Sequence, residues 1–239
     1  KMSLDVGTKT QKYYLDQLGL LQPLNIELPE IGQPQYPSRW GDISTMTISY
    51  GHGISVSPLQ LAWAVSTLVN GGKRMPLSLL KHHSLEPPVG TRVLSEETSL
   101  QMRKLMHLVV TDGTGKKAAA PGYLVGGKTG TAEKQVNGGY DKKSLRSSFV
   151  GAFPMDKPRY VILAMLDEPK GTDRTSDYAT GGWVAAPIIS RLVSRMATLL
   201  GILPRFMDGP SNNPTKITPR AASLGLNSTS GGGYNSAAF

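Results

Sequence analysis

The sequence predicts an α/β chain of the α+β kind, an antiparallel sheet flanked by helices. Three observations predict it. First, Ser57-Pro58 is followed by LQLAWAVSTLVN and Gly71, a helical stretch apolar nearly all round, which belongs in a buried central position. Second, three strand-forming stretches, 123–136, 147–153 and 159–166, are separated only by turn chemistry, Asn137-Gly138-Gly139 and Pro154 to Pro158. Connections that short make successive strands antiparallel, because a parallel pair needs a crossover of a dozen residues or more. Third, residues 180–201 carry Val184, Ile188, Ile189, Leu192, Val193, Met196 and Leu199 at helical spacing.

The elements follow in order. Residues 3–19 read as one helix, with Leu4, Tyr14, Leu15 and Leu18 apolar and Gly19 as its stop. Residues 22–45, with Pro23, Pro29, Pro34 and Pro37, read as a long, irregular, ordered connection. Ser57 caps the central helix, and Pro58 suits its first turn, where a missing N–H costs nothing. A further helix starts after Ser95, with Glu96 and Glu97 at its positive end. Leu100, Met102, Leu105, Leu108 and Val109 fill one face, and it stops near Asp112-Gly113-Thr114-Gly115. From Asp208 the composition changes, and residues 211–239 are rich in Ser, Asn, Gly and Pro and hold no acid. Two parts are expected, a folded portion 1–207 and a flexible tail 208–239.

Composition narrows the function. With 39% hydrophobic and 18% charged residues, the chain has material for a core and is not a disordered polyelectrolyte. Its formal charge is +9, but the basic residues are scattered and carry no aromatic stripe, so a solvated basic surface is expected rather than a nucleic-acid site. Cysteine is absent, which excludes disulfides and thiol chemistry and fits an oxidising compartment. The longest apolar run, VILAML, is far too short to span a bilayer, and the first residue is Lys1, so any targeting or anchoring segment is expected upstream. His82-His83 lacks metal-ligand spacing; no metal and no cofactor are expected.

The stretch GYLVGGKTGTAEK, Gly122 to Lys134, admits two readings. As Gly122-x-x-x-x-Gly127-Lys128-Thr129 it fits a phosphate-binding loop, with VILAMLDE ending in the Asp167-Glu168 that would hold magnesium. That loop needs a long helix directly after the Lys-Thr and parallel strands beyond it. Here Gly130 follows, then a short segment and Asn137-Gly138-Gly139, so a P-loop NTPase is only a remote alternative. As Lys128-Thr129-Gly130 it is instead the K-T-G box of serine enzymes that attack D-alanyl peptides and β-lactams. That box wants a strand at the rim of a cleft, continuing into a hairpin, to whose edge a peptide can add. Lys128 supplies a positive charge for a carboxylate, and Thr129 and Thr131 supply hydroxyls.

The box has company. SYGHGISVSPLQLAWAVSTLVNGG (49–72), VVTDGTGKKA (109–118), GGKTGTAEK (126–134), SSFVGAFPMDKPRYVILAMLDEPKG (147–171) and ATGGWVAAPIISRL (179–192) occur in that order. As a set, over about residues 1–207, they resemble the carboxy-terminal part of class B penicillin-binding proteins, most of all the septal peptidoglycan D,D-transpeptidase. The resemblance implies a β-lactamase/transpeptidase-like fold, incomplete in this chain. It implies an acyl-enzyme on a serine, formed from the D-Ala-D-Ala end of a peptidoglycan stem peptide and resolved by the amine of a second stem. β-Lactams would be trapped at the acyl stage. It also implies other division proteins as partners, no nucleic acid, and a place on the periplasmic side of the inner membrane, anchored by an upstream segment.

Carried over by matching motif, Lys128 and Thr131 are the candidate catalytic residues, the Thr131 N–H serving as half of an oxyanion hole. Thr129, Gly130 and Thr131 are substrate-binding, and Tyr50 and His52 resemble a wall of the cleft. The family's Ser-x-x-Lys and Ser-x-Asn boxes are not found in place. Ser78-Leu79-Leu80-Lys81 fits the first as letters, but it follows Pro76 in a region resembling the strand after the central helix. Ser211-Asn212-Asn213 lies in the tail, and Ser176-Asp177-Tyr178 comes after the K-T-G box, in the wrong order. Glu133 is read as a solvated strand residue rather than a general acid. The expectation is therefore a fragment with no nucleophile of its own, Lys1-Met2-Ser3 resembling the point just past the Ser-x-Asn box. A noncatalytic version of the fold, used as an interaction surface, is the alternative.

Overall fold

In the computed structural model, residues 1–81, 88–136 and 139–205 are described. His82-His83, Asn137-Gly138, Ser211 to Asn213 and the expected tail 208–239 lie outside them. The elements run α1 (Met2–Val6), α2 (Thr8–Gln17), α3 (Asp42–Ile48), α4 (Pro58–Val69), β1 (Lys73–Arg74), β2 (Thr91–Arg92), α5 (Glu96–Thr111), β3 (Gly126–Val136), β4 (Gly139–Phe153), β5 (Tyr160–Asp167), α6 (Gly181–Val184) and α7 (Ala186–Leu199).

The main sheet has the order β3-β4-β5, antiparallel throughout. Phe149 and Phe153 on one face of β4 pack with Ile189, Val193 and Ala197 of α7. Val150 and Ala152, of the opposite parity, pack with Val65 and Val69 of α4 and Met106 of α5. The sheet is thus covered on both faces, the α+β arrangement that the patterning predicts. Its β3 margin has no strand partner among the described residues.

The two long central helices are held as their sequences dictate. In α4, the Ser57 hydroxyl accepts from Gln60 N at 3.2 Å while Gln60 Oε1 accepts from Ser57 N at 3.0 Å, a reciprocal capping box. Gln60 is fully buried, and its amide nitrogen donates to the Gly19 and Gln22 carbonyls at 3.2 and 2.8 Å. One side chain therefore caps α4 and ties the end of the α2 region to it. In α5, Ser95 accepts from Thr98 N at 3.0 Å.

Several elements differ from the sequence reading. The single helix expected over 3–19 is two, α1 and α2, divided at Gly7, whose φ of 81° and ψ of 153° are open to glycine and poor for other residues. The irregular stretch 22–45 ends in the first residues of α3. The first strand of the sheet begins at Gly126, since Tyr123 sits in a tight turn bridged to Ala120. β4 is longer than expected, beginning at Gly139 as the return arm of the hairpin. The last helix is divided at Ala185, two residues before Pro187, which lacks the N–H needed to continue the ladder.

Candidate functional site

β3 carries the K-T-G box at the open margin of the sheet. The register pairs Lys128 with Val150, Thr129 with Phe149, Gly130 with Ser148 and Thr131 with Ser147. Directly opposed residues share a face, so Thr129 and Thr131 lie on the α6–α7 side and Lys128 and Gly130 on the α4–α5 side. Gly126, before the box, has a packing reason: a Cβ there would come within 2.6 Å of the Met155 side chain and 3.0 Å of the His107 backbone nitrogen on α5, and His107 Nδ1 is itself 2.8 Å from the Val125 carbonyl. α5 is thereby pressed against the start of the box.

The side chains of the box are individually placed. Lys128 is exposed, and its ammonium donates to the carbonyl of Thr129 at 2.9 Å. Thr129 Oγ1 is 2.8 Å from Thr114 Oγ1, in the turn that follows α5. Thr131 Oγ1 accepts from the N–H of Gly181, the first residue of α6, at 3.1 Å. Each threonine hydroxyl therefore has a fixed neighbour.

Past Thr131 the strand borders a groove of about 840 Å³. Thr131, Ala132, Glu133 and Lys134 form one side, and the loop Tyr50 to Ser55 forms the other. The Tyr50 and His52 rings stack with centroids 6.4 Å apart, and Tyr50 is 74% exposed. Thr131, Tyr50 and His52 are thus brought to one groove, while Lys128, Thr129 and Gly130 lie on the same strand outside its lining. Gln35, Tyr36, Lys134 and Arg146 also line it and were not anticipated. Gln35 arrives through an antiparallel bridge to Ser55, a long-range pairing with no local signature.

The phosphate-loop alternative fails on this geometry. Lys128 and Thr129 lie inside a strand that runs on to Val136, and the strands are antiparallel. Asp167 and Glu168, which would have held magnesium, instead accept from Lys134 Nζ at 3.0 and 2.8 Å, and Arg146 Nε reaches Asp167 at 3.4 Å. Donating to Glu168 and Asp167 raises the Lys134 pKa, and the hydrogen bond accepted from Lys134 holds the Asp167 carboxyl below its ordinary value. Among the described residues, no group of three His, Asp or Glu is placed to hold a metal ion.

The other serines of the sequence reading stand apart from the groove. Ser78 lies in a non-helical turn; its hydroxyl donates to Glu27 Oε1, and Leu79 N donates to Glu27 Oε2 at 2.9 Å. Those two donors, Leu79 first, hold the Glu27 carboxyl below its usual range. A serine so engaged, with no helix beneath it, lacks the geometry of a Ser-x-x-Lys nucleophile. Ser176 sits in the left-handed region, with φ of 48°, after a 3-10 turn at Asp173–Thr175.

An antiparallel sheet between helical layers thus carries a Lys-Thr-Gly-Thr strand at its margin. The family model for the penicillin binding protein transpeptidase domain matches residues 1–194, and the chain belongs to that family. It is 41% identical over 226 residues to the probable peptidoglycan D,D-transpeptidase FtsI of Caulobacter vibrioides, covering 90% of this chain and 38% of that protein. It is 37% identical over 204 residues to stage V sporulation protein D of Bacillus subtilis, covering 80% and 31%. Among solved structures, the transpeptidase domain of penicillin-binding protein 3 from Burkholderia pseudomallei aligns with a TM-score of 0.74 at 37% identity, over 83% of this chain and 59% of that one. Penicillin-binding protein 3 from Mycobacterium tuberculosis, complexed with ampicillin, aligns with a TM-score of 0.77 at 28% identity, over 87% and 49%. The chain spans less than two fifths of the length of these two curated relatives.

Proposed function

We propose that this chain forms the Lys-Thr-Gly side of the cleft in a serine-type peptidoglycan D,D-transpeptidase that cross-links stem peptides during septal wall synthesis. The observation that carries the reading is the open β3 margin, with Lys128 to Thr131 on it and Thr131 facing the groove walled by Tyr50 and His52. A stem peptide adds to this margin as an extended strand. Its terminal carboxylate is held by the Thr129 and Thr131 hydroxyls and attracted by the Lys128 ammonium. A serine outside these 239 residues attacks the penultimate D-alanine carbonyl. The Thr131 N–H supports the oxyanion, the terminal D-alanine leaves, and an amine of a second stem takes the acyl group. A β-lactam enters the same way and stays at the acyl stage. On this reading the parent protein works on the periplasmic side of the inner membrane, held by a segment other than the helices described, none of which is long and apolar enough to cross it. Other division proteins are its partners.

One observation favours a second reading. No serine among the described residues heads a helix with a lysine three positions on. A noncatalytic protein that uses the fold as an interaction surface would share that feature. Fluorescent penicillin applied to the full-length protein separates the two. Covalent labelling supports the transpeptidase, and absence of labelling on folded protein favours the interaction module.

A further inference from the structure

We infer that Ser147, a buried residue with no part in the chemistry proposed above, is a positioning residue that aims the Thr131 hydroxyl at the substrate carboxylate. The inference rests on the transpeptidase reading of the K-T-G strand. Ser147 is on β4, directly opposite Thr131 and on the same face of the sheet. It is fully buried, and its hydroxyl donates to the carbonyl of Ala179, which enters the segment leading to α6. Two residues later, the N–H of Gly181 donates to Thr131 Oγ1 at 3.1 Å. The path is short: a β4 hydroxyl fixes a carbonyl, the carbonyl fixes the segment, and the segment presents one N–H to Thr131.

The segment also lies flat on the strands. A methyl group at Gly181 would collide with the Ser148 and Gly130 carbonyl oxygens, so only glycine brings the N–H this close. The chemical consequence concerns a proton. A hydroxyl has one donor and two acceptor lone pairs. With an N–H occupying one lone pair of Thr131, its own proton is directed elsewhere, and on the open side of the strand that direction is where a carboxylate would lie. Thr129 has a comparable neighbour in the Thr114 hydroxyl, but there either oxygen can donate, so the direction is not set. Ser147 and Gly181 thus give Thr131 a defined donor role that Thr129 lacks.

The test uses the full-length protein that contains this chain and two probes, benzylpenicillin and its methyl ester, which differ in the free carboxylate. Second-order acylation rates give an acid-to-ester preference for each variant. In Ser147→Ala that preference falls about tenfold, the scale of one misdirected hydrogen bond to a charged group, while the ester rate changes little. Thr131→Val loses the same preference, and the double variant is no worse than Thr131→Val alone. Ser147→Cys, which keeps the shape with a somewhat larger atom and a weak donor, gives an intermediate preference and carries the comparison if the alanine variant does not fold. Equal losses with both probes, no change with either, or additive losses in the double variant would overturn the inference alone. A wild-type protein that benzylpenicillin does not acylate would remove the transpeptidase reading, and the inference with it.

Discussion

Lys134 of β3 and Asp167 of β5 form an ion pair at 3.0 Å that passes over β4, the strand between them. The register explains how. Arg146 lies opposite both Ala132 and Asp167, so it shares a face with Lys134, two residues beyond Ala132, and all three side chains converge. A register shift between Glu133 and Lys134 lets the strand bend at that point.

This cluster has a pH signature. The folded-state pKa of Asp167 is depressed, so its contribution is complete above the ordinary carboxylate value, near 4, and is lost as pH falls through the lower folded value. Lys134 is raised, so its contribution is complete below about 10.4 and is lost as pH rises through the folded value. Asp167→Asn should lower the urea midpoint slightly at pH 7, the effect being small because the pair is solvent-exposed. The difference from wild type should shrink toward zero below about pH 4. Urea titrations of both proteins at several pH values check this, and a difference that grows in acid would contradict it.

Gln60→Ala should be costly for a single polar side chain. It removes two donations and one acceptance in a fully buried site and leaves the Gly19 and Gln22 carbonyls short of a partner. Destabilisation of about 2–3 kcal/mol follows from the unsatisfied groups and the lost cap. Denaturant unfolding measures it, and a loss under about 0.5 kcal/mol would mean water replaces the amide freely.

Within the full-length protein, Lys128→Ala should reduce penicillin acylation roughly 100- to 1000-fold, the usual effect of removing one preorganised charge or donor at a developing anion. Ser78→Ala should leave acylation unchanged, because its hydroxyl serves Glu27 and does not line the groove beside β3. Equal rates for wild type and Lys128→Ala would remove the K-T-G assignment.

The chain by itself should show neither covalent penicillin labelling nor ATP-magnesium binding. Calorimetry with ATP and magnesium is expected to be silent, since Lys128 is in mid-strand and Asp167 is already paired. A micromolar dissociation constant would contradict that geometry.

Local chemistry made some features legible in the sequence and hid others. The α4 cap at Ser57 is written within four residues, and the K-T-G strand announces itself through glycines and a following hairpin. α3 was not legible: Asp42–Ile48 is rich in β-branched residues, and what holds it is distant, with Thr45 bonded to Thr8 Oγ1 at 2.7 Å and to the Gln11 amide at 2.9 Å. The same reason conceals half of the groove. Arg146 and Lys134 meet it through strand register, and Gln35 through a bridge to Ser55. Ser147 reads as one of two adjacent serines ahead of an apolar run until its pairing with Thr131 is known.

The meander has a consequence for the order in which the molecule assembles. β3, β4 and β5 are joined to their immediate neighbours in the chain, so the sheet closes by two short hairpins, each a fast, local event. The covering by α4 requires contact between regions far apart in sequence and a correspondingly larger loop closure. In a nascent polypeptide, the strand bearing Lys128 to Thr131 is therefore drawn up against β4 by short-range encounters, and the helical layer over it arrives by a longer search.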